Sequence, residues 1–132
     1  NKELKKLDGL IRDFPVTTLN MSVMKHVPNI RLISIEVVDS NKFLNSHIYT
    51  AIENDALAAG TRHQLYTGEI SDGAHKLNII YHWVEGEGAP QKSELVLAIT
   101  IQSARSYFVD LFLEKRDNKV ELRSYQRDFN NR

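Results

Sequence analysis

Apolar and polar residues alternate along most of this chain, and that period of two is typical of β-strands rather than helices. Turn-forming residues, such as Ser40-Asn41 and Asp117-Asn118, separate the alternating segments. The segments are residues 17–25, 30–38, 43–49, 62–70, 75–84, 93–102, 107–114 and 120–126. Regularly spaced short strands of this kind predict a mainly β fold, an antiparallel two-sheet sandwich.

One internal segment has helical signals instead. Thr50 is suited to cap a helix, Glu53 stands three residues on as its capping-box partner, and Gly60 provides a stop. The residues predicted to share its apolar face are Ile52, Ala56 and Ala59. A short helix packed on a sheet edge is therefore expected between the third and fourth strands.

The start of the chain also has a helical period. Leu4, Leu7, Ile11 and Phe14 follow each other at 3-4-3 spacing, and Pro15 ends the pattern. Two interpretations stay open, a helix that caps the domain or the end of a longer coiled coil. We expect a helix over residues 1–14, a sandwich over residues 15–132, and, because the first residue is not Met, a chain that is part of a longer protein.

The seventh predicted strand is apolar on both faces. Val109, Leu111 and Leu113 share one face, while Phe108 and Phe112 lie on the other. This pattern predicts a central strand, or a strand covered by the N-terminal helix or by a partner chain.

Charge and composition exclude several classes of function. Seventeen basic and seventeen acidic residues cancel, whereas binding to nucleic acid or to anionic lipid favours a basic excess. The chain has no cysteine, so thiolate catalysis and thiolate metal sites are ruled out. No apolar run approaches the roughly 20 residues that span a bilayer, so we expect no membrane insertion by this segment.

The sequence contains no recognisable catalytic or metal-binding motif. Its histidines are His26, His47, His63, His75 and His82. They lack the close spacings typical of zinc sites, and no Gly-x-Ser-x-Gly motif is present. We therefore expect no enzyme activity, metal or cofactor, and keep a small metal-dependent hydrolase around His63, His75 or His82 as a remote alternative. His75 and His82 should face opposite sides of one strand, and His75 is expected to hydrogen-bond the turn at Asp72-Gly73.

The aromatic residues raise a second possibility, a carbohydrate-binding surface. Tyr66 and Trp83 could stack on sugar rings, with Glu85 and Glu87 of the neighbouring loop as polar contacts. However, Tyr81 and Trp83 share a strand face with apolar residues, and this pattern favours core packing.

Three stretches together resemble a known family. They are Leu-Ile-Arg-Asp-Phe-Pro at residues 10–15, Tyr-Thr at 49–50 followed by Gly60 and Leu-Tyr-Thr-Gly at 65–68, and Gly-Ala-His-Lys-Leu at 73–77. Their order is similar to that in uncharacterised envelope proteins of Gram-negative bacteria, in which a coiled coil precedes a C-terminal β-domain. The resemblance weakens after Trp83, where residues 85–90 are acidic rather than polar and Gly-rich.

The resemblance implies an exported protein with a coiled-coil stem and an immunoglobulin-like or transthyretin-like sandwich, but no known activity or functional residues. We thus expect a non-catalytic, periplasmic or envelope-associated interaction module. Leu4, Leu7, Ile11 and Phe14 would form its face for self-association or for a protein partner, and a carbohydrate-binding module is the alternative.

Overall fold

The computed structural model describes residues 16–131, which form eight strands and one helix. In chain order these are β1 (Thr18–Lys25), β2 (Ile30–Asp39), β3 (Lys42–Ile48), α1 (Ala51–Ala58), β4 (His63–Glu69), β5 (Gly73–Glu85), β6 (Gln91–Ile101), β7 (Arg105–Arg116) and β8 (Lys119–Asn130). Every strand predicted from the sequence is confirmed, as is the internal helix. The predicted N-terminal helix, with Leu4, Leu7, Ile11 and Phe14, lies outside the described residues and stays a prediction.

The strands form two four-stranded sheets, ordered β4-β1-β7-β8 and β3-β2-β5-β6. Pairing is antiparallel except between β1 and β7, which run parallel. Lettered A to H, the sheets are D-A-G-H and C-B-E-F, an order that differs from the A-B-E-D sheet of immunoglobulin constant domains. The predicted two-sheet sandwich is confirmed, with β7 inside its sheet between β1 and β8.

Two tight turns set the register of their hairpins. Ser40 and Asn41 between β2 and β3 have φ of 47° and 72°, and Asp117 and Asn118 between β7 and β8 have φ of 51° and 62°. Positive φ at both central residues is the property of type I′ turns, whose twist matches that of paired strands. β8 runs beyond the predicted end at residue 126, because β7 supplies partners as far as Asn130.

The core lies between the two sheets and is filled by alternate residues of the strands. On β5, Leu77, Ile79 and Tyr81 are buried, as their spacing predicts, and Trp83 is half-buried against them. The hydroxyl of Tyr81 accepts the backbone N–H of Leu122 in the opposite sheet at 3.1 Å. A polar contact thus ties the two sheets together inside an apolar core.

The N-terminus of α1 is capped as the sequence predicts. The Thr50 hydroxyl accepts the Glu53 backbone N–H at 3.2 Å, and the Glu53 carboxylate accepts the Thr50 N–H at 2.9 Å. The predicted apolar face is wrong, since Ile52 is 80% exposed and the buried helix residues are Asn54 and Leu57.

A pair of buried hydrogen bonds explains this orientation of the helix. Asn54 Oδ1 accepts the backbone N–H of Leu32 at 2.8 Å, and Asn54 Nδ2 donates to the Leu32 carbonyl at 2.9 Å. The pairing of β3 with β2 ends at Ile48 opposite Ser34, so the Asn54 amide continues the ladder where β3 stops. Satisfying these backbone groups takes precedence over burying Ile52.

His75 contacts the turn that precedes its strand, as predicted. One ring nitrogen, Nε2, lies 2.6 Å from the Ser71 carbonyl oxygen, and the other, Nδ1, lies 2.7 Å from the buried carboxylate of Asp39. His82, on the other face of β5, contacts the Ser34 hydroxyl at 3.2 Å. Both histidines therefore have roles within the fold.

Within residues 16–131, the structure contains no helix of the length and apolarity needed to span a bilayer.

Replacing Asn54 tests the docking of α1. In Asn54→Ala, two buried backbone groups of Leu32 lose their partners, and each such loss costs about 1–3 kcal/mol. We expect the free energy of unfolding to fall by about 2–6 kcal/mol in urea titrations. Ile52→Ala on the same helix is the control, with an expected change within about 0.5 kcal/mol. Equal effects of the two substitutions would contradict the assigned role of Asn54.

Candidate functional site

The outer face of the β4-β1-β7-β8 sheet carries an unusual set of side chains. Since Val109 and Leu111 of β7 point into the core, the alternate residues Phe108, Asp110 and Phe112 lie on the outer face. The antiparallel partners on β8 extend this face. We call it the aromatic–arginine surface and define it as Phe108, Phe112, Arg123, Tyr125, Arg127 and Phe129.

The members of the aromatic–arginine surface are packed against each other. Phe112 meets Tyr125 edge-on at 5.2 Å between ring centroids, and Phe108 meets Phe129 at 5.7 Å. Arg127 lies over the Phe108 ring at 5.1 Å, opposite it in the register of β7 and β8. Rings and guanidinium groups thus hold one another in place by edge-to-face and cation–π contacts.

Charges on this surface are layered. Asp110, 8% exposed, lies 3.5 Å from Arg127 and 3.8 Å from Arg62, and Glu114 lies 3.4 Å from Arg123. The carboxylates are the more buried members of these ion pairs, whereas the arginine side chains are 40–50% exposed. The most exposed groups of this surface are therefore guanidinium groups and aromatic rings.

A shallow, open hollow of about 330 Å³ lies on this face, and its lining residues are His26, Asp110, Phe112, Glu114 and Tyr125. The ring of His26, which follows β1, packs on Phe112 at 4.7 Å and forms one wall. At the margin of the surface, Tyr125 and Phe129 are 50% and 52% exposed.

A second cluster lies where β3, α1 and β4 meet, and it consists of His47, Glu53 and His63. His47 Nε2 donates to Glu53 Oε2 at 2.7 Å, and the rings of His47 and His63 lie 4.4 Å apart. One potential ligand atom from each residue lies within 4.8 Å of the others. The hydroxyl of Tyr49 lies 2.8 Å from His63 Nδ1 and completes the cluster.

The environment tunes the titrating groups of this cluster. Burial lowers the pKa of His63, and charge on His47 lowers it further, against a smaller opposing effect of Glu53. The Thr50 backbone N–H holds the pKa of Glu53 below its ordinary value, with help from His47. Burial raises the pKa of Tyr49. Near neutral pH the cluster therefore offers a neutral imidazole at His63, a carboxylate at Glu53 and a protonated phenol at Tyr49.

The residues considered as a carbohydrate platform are placed apart. Tyr66 lies on β4 and Trp83 on β5, in different sheets, and both pack against the core. Trp83 Nε1 donates to the Ser93 hydroxyl at 3.2 Å. Glu85 pairs with Lys115 at 2.6 Å, while Glu87 is exposed in the following loop. Among the described residues, no ring contact joins Tyr66 to Trp83.

Sequence spacing did not reveal the His47–Glu53–His63 cluster, because its two histidines are on separate strands. The sequence does contain a usable signal. His47 stands three residues before the helix cap Thr50, and His63 stands three residues after Gly60. In this fold the chain turns back after the helix, and His47 and His63 therefore meet beside Glu53 in its first turn.

The chain was compared with known proteins in three ways. Neither protein-family models, nor curated proteins, nor solved structures gave a match to this chain.

The lowered pKa of His63 predicts a pH effect on stability. In the folded protein the His63 imidazole is protonated at a lower pH than in the unfolded chain, where its pKa is 6.5. This contribution therefore destabilises the fold as the pH falls through 6.5. The groups facing His63 are His47, Tyr49 and Glu53.

We expect His63→Asn to lose this part of the pH dependence in urea titrations between pH 7.5 and 5.5. His82→Asn, on another strand, should retain it. An unchanged slope in His63→Asn would refute the effect of burial on this histidine.

Proposed function

We propose that this chain is a non-catalytic protein-binding module that holds an acidic segment of a protein partner on its aromatic–arginine surface. The observation that carries the proposal is the exposure of Tyr125 and Phe129, each about half exposed, beside Arg123 and Arg127. Aromatic residues and arginine dominate the binding energy of protein interfaces.

The packing of the surface supports a role in binding rather than in folding alone. Its rings rest on each other and on guanidinium groups, and Tyr125 and Phe129 retain half of their accessible area. Because the rings are already ordered, little side-chain entropy would be lost on association.

The layering of charge supports an acidic partner. Arg127 and Arg123 form ion pairs with the more buried carboxylates of Asp110 and Glu114. Carboxylates of a partner can therefore approach these arginines from the solvent side. Glu121 lies opposite Glu114 at one end of the surface. This negative end directs an acidic segment toward the other end, formed by Arg127 and Phe129.

We place this module in the bacterial envelope, attached through its N-terminal segment. The support is the sequence alone, namely the family resemblance and the 3-4-3 series Leu4, Leu7, Ile11 and Phe14. That series has the spacing of a coiled-coil seam, which would allow self-association or attachment to a stem.

Selection from a random peptide display library on the immobilised full chain tests the binding proposal. We expect enriched peptides to combine Asp or Glu with an apolar residue. Arg127→Gln and Tyr125→Ala should each weaken their binding by about tenfold or more in fluorescence anisotropy, as at interface hot spots.

The matched control is Phe43→Ala, which removes a ring that is 57% exposed on β3 of the other sheet. The proposal is supported if the selected peptides bind Phe43→Ala with the same affinity as the wild type. Peptides without acidic residues, or binding unaffected by Arg127→Gln and Tyr125→Ala, would contradict it. So would a cross-link from position 125 to residues 1–15 or to a second copy, since the surface would then be internal to the protein.

Self-association through the N-terminal segment is a separate prediction. Static light scattering should give an oligomer for the full chain and a monomer for the Leu7→Asp/Ile11→Asp variant, because charges disrupt an apolar seam. Lys6→Asp, between the seam positions, serves as the control. A monomeric wild-type chain would contradict self-association through the N-terminal segment.

A further inference from the structure

Three side chains able to bind a metal converge at one point, each from a different element. His47 comes from the end of β3, Glu53 from the first turn of α1, and His63 from the start of β4. Their potential ligand atoms lie within 4.8 Å of one another. The aromatic–arginine surface is built on β7 and β8 and shares no residue with this cluster.

We propose that His47, Glu53 and His63 bind a Zn²⁺ ion, with water in the fourth position. Two imidazoles and one carboxylate form a ligand set that zinc uses when it keeps a position open. Ca²⁺ and Mg²⁺ prefer oxygen ligands and are poorly suited to two nitrogens. The side chains of His47 and Glu53 are about one-third exposed, so solvent reaches the open position.

Small side-chain movements suffice to close the ligand set around an ion. Tetrahedral zinc with bonds of about 2.0 Å places its ligand atoms about 3.3 Å apart. The 2.7 Å contact between His47 Nε2 and Glu53 Oε2 holds a proton that the ion would replace. The remaining separations, up to 4.8 Å, have to shorten on binding, and we expect side-chain rotation to achieve this.

Neighbouring groups already orient the three ligands. The Thr50 backbone N–H binds Oε1 of Glu53 and leaves Oε2 turned toward His47. The Tyr49 hydroxyl contacts Nδ1 of His63, so we assign Nε2 of that ring to the ion. Hydrogen bonds of this kind fix the orientation and tautomer of metal-bound histidines.

The capping box explains the position of the Glu53 side chain, and the hydrogen bond to Glu53 explains that of His47. The second imidazole, whose ring centroid lies 4.4 Å from that of His47, would have a further role as the third ligand of the ion.

Isothermal titration of the chelator-treated full chain with ZnCl₂ at pH 7.4 tests the proposal. We expect one ion per chain and no heat of binding with CaCl₂. His47→Gln, His63→Gln and Glu53→Gln should each weaken binding by more than tenfold, with Gln at position 53 able to keep the capping box. Tyr49→Phe should weaken it about tenfold, as expected for a group that orients a ligand.

His82→Gln is the matched control and should bind zinc like wild type. Thermal unfolding of each variant without zinc shows whether it is folded, and zinc should raise the melting temperature of wild type but not of His63→Gln. If the variants do not fold, zinc-edge X-ray absorption of wild type decides, with two imidazole ligands expected. Absence of binding, equal binding by folded ligand variants, or a spectrum of oxygen ligands alone would overturn the proposal.

Discussion

The arrangement of this sandwich depends on how the backbone of β2 is satisfied where β3 ends. Leu32 lies beyond the last residue of β3, in the buried interior, and the Asn54 amide supplies both its missing donor and its missing acceptor. Because one side chain makes both bonds, the position of α1 is fixed relative to the sheet. The hydrogen bonding along this edge of β2 thus continues through a side chain of the helix.

This docking determines the local chemistry. With Asn54 fixed on β2, the preceding residue Glu53 faces the end of β3, where His47 stands, and β4 returns His63 to the same place. The capping box holds the carboxylate from the other side. On the other sheet, the aromatic–arginine surface lies on β7 and β8, which are paired through the turn at Asp117 and Asn118.

The sequence predicts what local rules determine. Strand period, the paired turn residues and the capping box at Thr50 and Glu53 identify the elements, and the apolar positions of β5 identify the core. It does not predict what depends on tertiary pairing. Ile52 is the expected inward residue of α1, yet Asn54 takes that place because a backbone pair on β2 needs it. His47 and His63 likewise meet only through the fold, and the partners of Phe108 and Phe112 on β8 follow from register.

Amide hydrogen exchange at Leu32 tests the central role of the Asn54 contact most directly. The backbone N–H of Leu32 donates to Asn54 in the buried interior and so should exchange as slowly as strand amides in the middle of β2. In an NMR exchange experiment, we predict strong protection of this amide in the native protein. Exchange of Leu32 at the rate of an exposed turn amide, such as that of Asn118, would contradict the account.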